Sequence, residues 1–258
     1  MLWIHKNKTP AAVSREEAKI RSSSEWKSVP ESNAKAVRKA GFDKLPKDTI
    51  RKNLLEEQHY LCVYCMKRIE NHQLHTVIEH LTPLSRDKEK SLDYQNMAAV
   101  CKGGADVQIA EGEKRVLCCD GSKHDEDELL LSPYNEQMMK EICYYSDGQI
   151  YFRGLGNWSD QNKEKIEHEI NDVLCLNGKH KKDGSVQDTA TQLLKGRRDA
   201  YEQAESIIRR LSKKGNLTSE RLQKEMRAIR ESEKRKEYAG VILFVLERKY
   251  RRLKAQGR

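Results

Sequence analysis

Long apolar runs are missing from this chain. No stretch approaches the ~20 consecutive apolar residues that a membrane-spanning helix needs. The longest run, Ala239-Gly240-Val241-Ile242-Leu243-Phe244-Val245-Leu246, suits a buried helix segment at most. Large aromatics are also scarce, with three Phe and three Trp beside ten Tyr in 258 residues, which fits a helical, charged protein better than a β-sandwich. The opening Met1-Leu2-Trp3-Ile4-His5-Lys6 has neither the apolar core nor the cleavage site of a secretion signal. The expected location is therefore the cytoplasm, with no membrane association, where thiols stay reduced. There is no internal repeat, no low-complexity tract and no Walker-type phosphate loop.

Charge is plentiful. Charged residues make up 34% of the chain against 37% hydrophobic, and the formal net charge is +9. Its distribution is uneven. Residues 191–258 hold 20 Lys/Arg and 9 Asp/Glu, whereas the preceding 190 residues hold 29 and 31. A surplus confined to the last quarter is the pattern of a phosphate-binding surface, although a solvated helix face gives the same pattern.

The chain reads as three regions. Residues 1–57 form an N-terminal helical segment. A Ser14/Glu17 capping box precedes the first helix, Pro30 opens a second that stops near Gly41, and Asp48 caps a third carrying Ile50, Leu54 and Leu55. Residues 58–135 are rich in Cys and His. Within them Thr76–Leu81 reads as a strand ending before Pro83, and Asn96–Cys101 as a second strand, weakened by its alanines. Residues 136–258 form a helical, basic region. They begin with a hairpin over 141–152 turning at Asp147-Gly148, then a helix over 162–176 and a polar loop over 179–184. Two long helices follow, over 189–213 and 219–254, separated at Gly215-Asn216.

Seven cysteines in a reducing compartment point to metal ligands or buried apolar residues rather than disulfides. Cys62-Val63-Tyr64-Cys65 has the spacing at which two thiolates turn onto one zinc ion. A single CxxC is equally a redox pair. Cys101 and the Cys118-Cys119 doublet supply a second pair, and four thiolates close a structural tetrahedral site. Cys119 is favoured over Cys118 because it directly precedes the polar turn Asp120-Gly121-Ser122-Lys123. Cys118 then reads as a buried apolar residue, like Cys143 and Cys175.

Between the cysteine pairs lie Glu79, His80 and Asn96. Adjacent strand residues face opposite ways, yet at a strand end Glu79 and His80 can reach one cleft edge. An imidazole, neutral at cytoplasmic pH, suits proton removal from water. Carboxylate and amide oxygens suit a hard Mg²⁺-like ion. Together these groups can hydrolyse a phosphodiester. Taken singly, a Glu-His pair is more often a hydrogen-bonded surface pair, and a lone Asn more often a turn residue. His59, His72 and His75 read as supporting residues.

The order Cys62-Val63-Tyr64-Cys65, Ile78-Glu79-His80-Leu81-Thr82-Pro83, Asn96-Met97 and Cys101 to Lys123 resembles the zinc-knuckle HNH endonuclease module, a ββα-metal fold. The Cys101-Lys102-Gly103-Gly104 insertion, Leu131-Ser132-Pro133 and Leu174-Cys175-Leu176-Asn177 further resemble its PtuB-like branch, found in Septu- and retron-type antiphage systems. The fold so implied is a mostly helical α+β protein whose ββα-metal core and zinc knuckle are flanked by N- and C-terminal helices.

The resemblance implies that His80 is the general base and Glu79 an acidic metal ligand. Asn96 holds the catalytic loop or binds the metal, and Lys123, on a short helix, lies near phosphate. Where such modules place their last histidine, directly after the final knuckle cysteine, this chain has Asp120. Asp120 is accordingly expected as a metal ligand, with His124 as the fallback. The implied cofactors are structural Zn²⁺ at Cys62, Cys65, Cys101 and Cys119, and catalytic Mg²⁺ or Mn²⁺ at Glu79, Asn96 and Asp120. DNA is the default substrate and tRNA or other RNA the alternative. The implied partner is a PtuA-like SMC-type ATPase, joined in retron systems by a reverse transcriptase with its msDNA. Arg221, Lys224 and Arg227 are candidate nucleic-acid contacts on the basic helix. Two other readings compete: a non-catalytic zinc-binding nucleic-acid adaptor, and a thiol oxidoreductase using Cys62 and Cys65.

Overall fold

A chain with so many charges can bury only narrow apolar stripes, and its helices do so in the computed structural model. The structure describes residues 1–112, 114–124, 128–213, 215 and 217–256. Helix α1 (Ala11–Ser22) starts directly after Pro10, whose fixed φ presets the first turn. Ser14 consequently falls inside the helix, the anticipated capping box is not formed, and Glu17 pairs with Arg21 at 2.9 Å instead. The short α2 (Ser24–Ser28) is capped by the Ser23 hydroxyl. Helix α3 (Ala34–Ala40) is capped by the Asn33 side chain and stops at Gly41, where a Cβ would lie 2.4 Å from the Trp26 ring. Helix α4 (Lys47–Glu57) starts after Pro46, so Asp48 sits in its first turn rather than at the cap.

Strands β1 (Thr76–His80) and β2 (Met97–Cys101) pair antiparallel, with Thr76 opposite Cys101 and His80 opposite Met97. The alanines of β2 are explained by what covers them. Met97, Ala98, Ala99 and Val100 are fully buried, and α4 packs on this hairpin. Gln58, just past α4, substitutes for a neighbouring strand. Its amide donates to the Ala99 carbonyl at 2.7 Å and accepts the Ala99 N–H at 2.7 Å. Small side chains allow that approach, so tertiary packing overrides weak strand propensity.

Helix α5 (Glu136–Lys140) leads into the expected hairpin, β3 (Ile142–Tyr144) with β4 (Ile150–Phe152). Helix α6 (Asp160–His168) continues into a π-helical turn at Glu169–Val173. The polar loop contains a two-residue ladder, β5 (Lys179–His180) with β6 (Val186–Gln187). Helix α7 (Leu193–Lys213) follows, and Asn216, half of the expected separator, lies outside the described residues.

The last stretch differs from expectation. Instead of one helix over 219–254 there are two, α8 (Ser219–Glu231) and α9 (Ala239–Ala255). The intervening N–H groups serve other partners. Arg235 N–H donates to the His59 carbonyl at 3.2 Å, and Tyr238 N–H donates to the Met66 carbonyl at 3.1 Å, with Tyr238 at φ 55. The Glu237 carboxylate accepts the Arg68 N–H at 2.7 Å. Docking onto the cysteine-rich region thus replaces the i→i−4 ladder. Both α7 and α8 pack on α9. One buried apolar cluster draws on residues 1–57, 58–135 and 136–258 alike. Among the described residues no helix is long and apolar enough to cross a membrane.

Candidate metal centre and adjoining cleft

The Cys62–Cys65 turn closes through Met66 N–H to the Cys62 carbonyl (3.0 Å), with Met66 at φ 65. The second pair arrives from β2 and from a 3-10 turn at Cys119–Gly121. Gly103, at φ 63, carries the chain between them; a Cβ there would stand 1.6 Å from the Cys118 carbonyl oxygen. The ligand atoms of Cys62, Cys65, Cys101 and Cys119 all lie within 4.8 Å of one another. A tetrahedral ZnS₄ site with ~2.3 Å bonds has sulfur–sulfur edges of about 3.8 Å. Cys65 Sγ to Cys101 Sγ is 3.6 Å and Cys62 Sγ to Cys119 Sγ is 4.0 Å, on either side of that value. The Cys101 N–H also points at Cys62 Sγ (3.4 Å), a contact that favours thiolate. Burial raises the Cys62 thiol, but hydrogen bonds from Cys101, Cys119 and Cys65 outweigh it and hold Cys62 well below the usual thiol range. Four soft donors at this spacing can hold a metal such as zinc.

Cys118 is outside that set of four, although its contacts with Cys101 and Cys119 hold its thiol pKa down at about 4. Its Sγ meets the Gly103 carbonyl at 3.6 Å and Thr191 Oγ1 at 3.5 Å. Cys143 and Cys175 are buried elsewhere.

Beside this centre is a cleft of about 480 Å³ whose lining includes Glu79, His80, Asp120 and Lys123. His80 ends β1 and is 7% exposed. Its Nε2 lies 3.0 Å from the Ser91 carbonyl, which can only accept, so the neutral ring carries its proton on Nε2 and keeps the Nδ1 lone pair. The ring edge packs on Phe42, centroids 4.6 Å apart. Burial lowers the His80 pKa to about 4, against the raising effect of the Ser91 carbonyl, and the charges of Arg38, Lys123 and Lys47 lower it further. The imidazole is thus neutral at physiological pH.

Glu79, the neighbour of His80, reaches the same cleft and pairs with Lys123 Nζ at 2.7 Å, both side chains nearly buried. Lys123 does not sit on a short helix: it follows the three-residue 3-10 turn, its N–H bonded to the Cys119 carbonyl at 2.9 Å. Asn96 is not part of the cleft lining. Its Oδ1 accepts the Thr82 N–H (2.8 Å), and its Nδ2 donates to the carbonyls of Thr82 (2.9 Å) and Lys90 (3.1 Å). Asn96 therefore clamps the 82–90 loop, and its amide is engaged there rather than in the cleft. His124 is exposed, beyond Lys123.

Sequence reasoning missed the opposite wall, formed by Lys35, Arg38 and Phe42. Lysines and arginines on a short helix look like any solvated face; only the packing of Phe42, just past α3, on the His80 ring shows them to be part of the cleft. Arg221, Lys224 and Arg227 are exposed on α8 and belong to none of this. Lys224 and Arg227 border a separate hollow of about 390 Å³. His59 is structural, with Nδ1 2.8 Å from the Ser232 carbonyl, and His75 lies 3.6 Å from Asp106. No protein-family model matches this chain, and no curated protein is a detectable relative.

Proposed function

We propose that this chain is an HNH-type nuclease, built on a ββα-metal core, that hydrolyses phosphodiester bonds of DNA or RNA. One observation carries the reading: a hairpin and a 3-10 turn, joined at a zinc-compatible thiol cluster, bring an imidazole, two carboxylates and a lysine to one cleft. His80 Nδ1 takes the proton of the attacking water, while the Ser91 carbonyl fixes the ring. Glu79 and Asp120 supply hard oxygen donors suited to Mg²⁺ or Mn²⁺. That ion contributes charge stabilisation at the scissile phosphate and leaving oxygen. Lys123 neutralises Glu79 in the resting site and meets the phosphate when substrate enters. Asn96 keeps the loop after β1 in register. The resemblance to PtuB-like proteins adds a role as effector in an antiphage assembly with an SMC-type ATPase.

The test uses zinc-loaded protein with supercoiled plasmid and with tRNA, in Mg²⁺ or Mn²⁺. Cutting by the zinc-loaded protein is expected to stop when Mg²⁺ and Mn²⁺ are omitted and to fall about 10²–10⁴-fold in His80→Ala. Undiminished cutting by His80→Ala removes the histidine from the mechanism.

A second reading, a zinc-scaffolded nucleic-acid adaptor without catalysis, draws on the Lys123–Glu79 pair, since a carboxylate already matched by an ammonium has less need of a metal. The adaptor binds nucleic acid with no dependence on Mg²⁺ or His80, so His80→Ala and the omission of Mg²⁺ from zinc-loaded protein separate the two.

A further inference from the structure

A second concavity shares no lining residue with the His80 cleft. It lies where residues 1–3, α5, β3 and β4 meet α9, and at about 610 Å³ it is larger than the cleft. Its floor is apolar, contributed by Met139, Ile142, Leu243 and Phe244. Phe244 is held edge-on to Tyr144, centroids 5.6 Å apart. Trp3, also part of the lining, is 41% exposed.

The rim is cationic: Lys140, Arg153, Arg230, Arg248, Arg251 and Arg252. Three carboxylates answer these six cations. Glu136 pairs with Lys140 at 2.8 Å, Glu141 with Arg153 at 3.0 Å, and Glu247 is shared by Arg230 (3.1 Å) and Arg251 (3.4 Å). Among the described residues Arg248 and Arg252 have no carboxylate within ion-pair distance. Arg248 is nonetheless fixed in place, donating to the Tyr201 hydroxyl at 2.5 Å and lying over the Phe244 ring at 5.7 Å. An ordered cation held without a counter-ion at the mouth of an apolar trough is charge available to a ligand.

We infer that this groove docks an acidic amphipathic segment of a protein partner, with apolar side chains entering the floor and carboxylates meeting Arg248 and Arg252. The surplus of rim cations sets the sign of the occupant. The floor sets its kind. Met139, Ile142 and Leu243 offer no hydrogen bond to a base edge, whereas periodic apolar anchors of a helix or strand fill such a trough. An apolar patch rimmed by polar residues is the usual form of a protein-docking surface. None of these residues belongs to the nuclease reading, and the inference stands without it.

The experiment pans a random 16-residue phage-displayed peptide library on the full-length, zinc-loaded chain. Expected are peptides combining Asp or Glu with Leu, Phe or Trp, whose binding weakens about tenfold or more in Arg248→Glu/Arg252→Glu, the loss expected from two rim charges reversed. The control Arg209→Glu/Lys213→Glu makes the same charge change on α7 and is expected to bind like wild type; circular dichroism melts establish that both variants fold. The inference is overturned if the enriched peptides lack either acidic or apolar residues, or if both variants bind them equally. It also fails if no peptide is enriched, or if a single-stranded oligonucleotide displaces the peptides and loses its own binding in the rim variant.

Discussion

Adjacent cysteines at 118 and 119 part company because Cys119 takes a left-handed backbone (φ 49) while Cys118 is extended. One sulfur joins Cys62, and the other, still in contact with Cys101, reaches Thr191. Cys119→Ser is therefore expected to lose bound zinc, and Cys118→Ser to keep one ion per chain, as read by elemental analysis of purified protein. Asn96 illustrates a different kind of residue, one whose importance lies in what its amide satisfies. Asn96→Ala leaves the half-buried Thr82 N–H without its acceptor and frees the loop after His80. A loss of about 1–3 kcal/mol in urea unfolding is expected, with faster amide exchange across residues 82–90. A substitution that leaves both unchanged contradicts the clamp.

At the scale of elements, the β1–β2 hairpin is positioned by groups distant in sequence. Gln58 edges it, α3 walls its end, and the Gly103 crossover returns the chain from β2 to Cys119. That crossover tolerates no side chain, because backbone with positive φ disfavours one and a Cβ would collide with the Cys118 carbonyl. Gly103→Ala should displace Cys119 from the sulfur cluster. The expected result is weaker zinc retention in a chelator titration against wild type, together with lower stability. The break between α8 and α9 belongs to this scale too. Its residues 232–238 bond back to His59, Met66 and Arg68, so the basic helices are attached to the CxxC turn rather than trailing from it.

At the scale of the molecule, the thiol cluster lies within the one apolar core shared by all three regions. Metal bound there contributes directly to folding free energy. Chelation should lower the melting temperature of the whole chain in a single transition rather than loosen a local segment, and scanning calorimetry with and without EDTA measures this. Because ligand thiols must be deprotonated, zinc is also expected to leave as pH falls, with melting temperature following the released metal. Two separate transitions on chelation would contradict a shared core.

Much of the site is legible along the chain because it rests on local spacing. Cys62 and Cys65 sit two residues apart, Glu79 and His80 end a β-branched strand before Pro83, and Asp120 follows Cys119 directly. The period of apolar residues likewise marks most helices to within a few positions. The tertiary structure alone decided which sulfur of the doublet turns inward, that Asn96 faces a loop rather than the cleft, that Lys35 and Arg38 wall it, and that one expected helix is two. Each of these depends on where backbone N–H groups and side chains find partners dozens of residues away, and burial of that kind leaves no periodic trace in sequence.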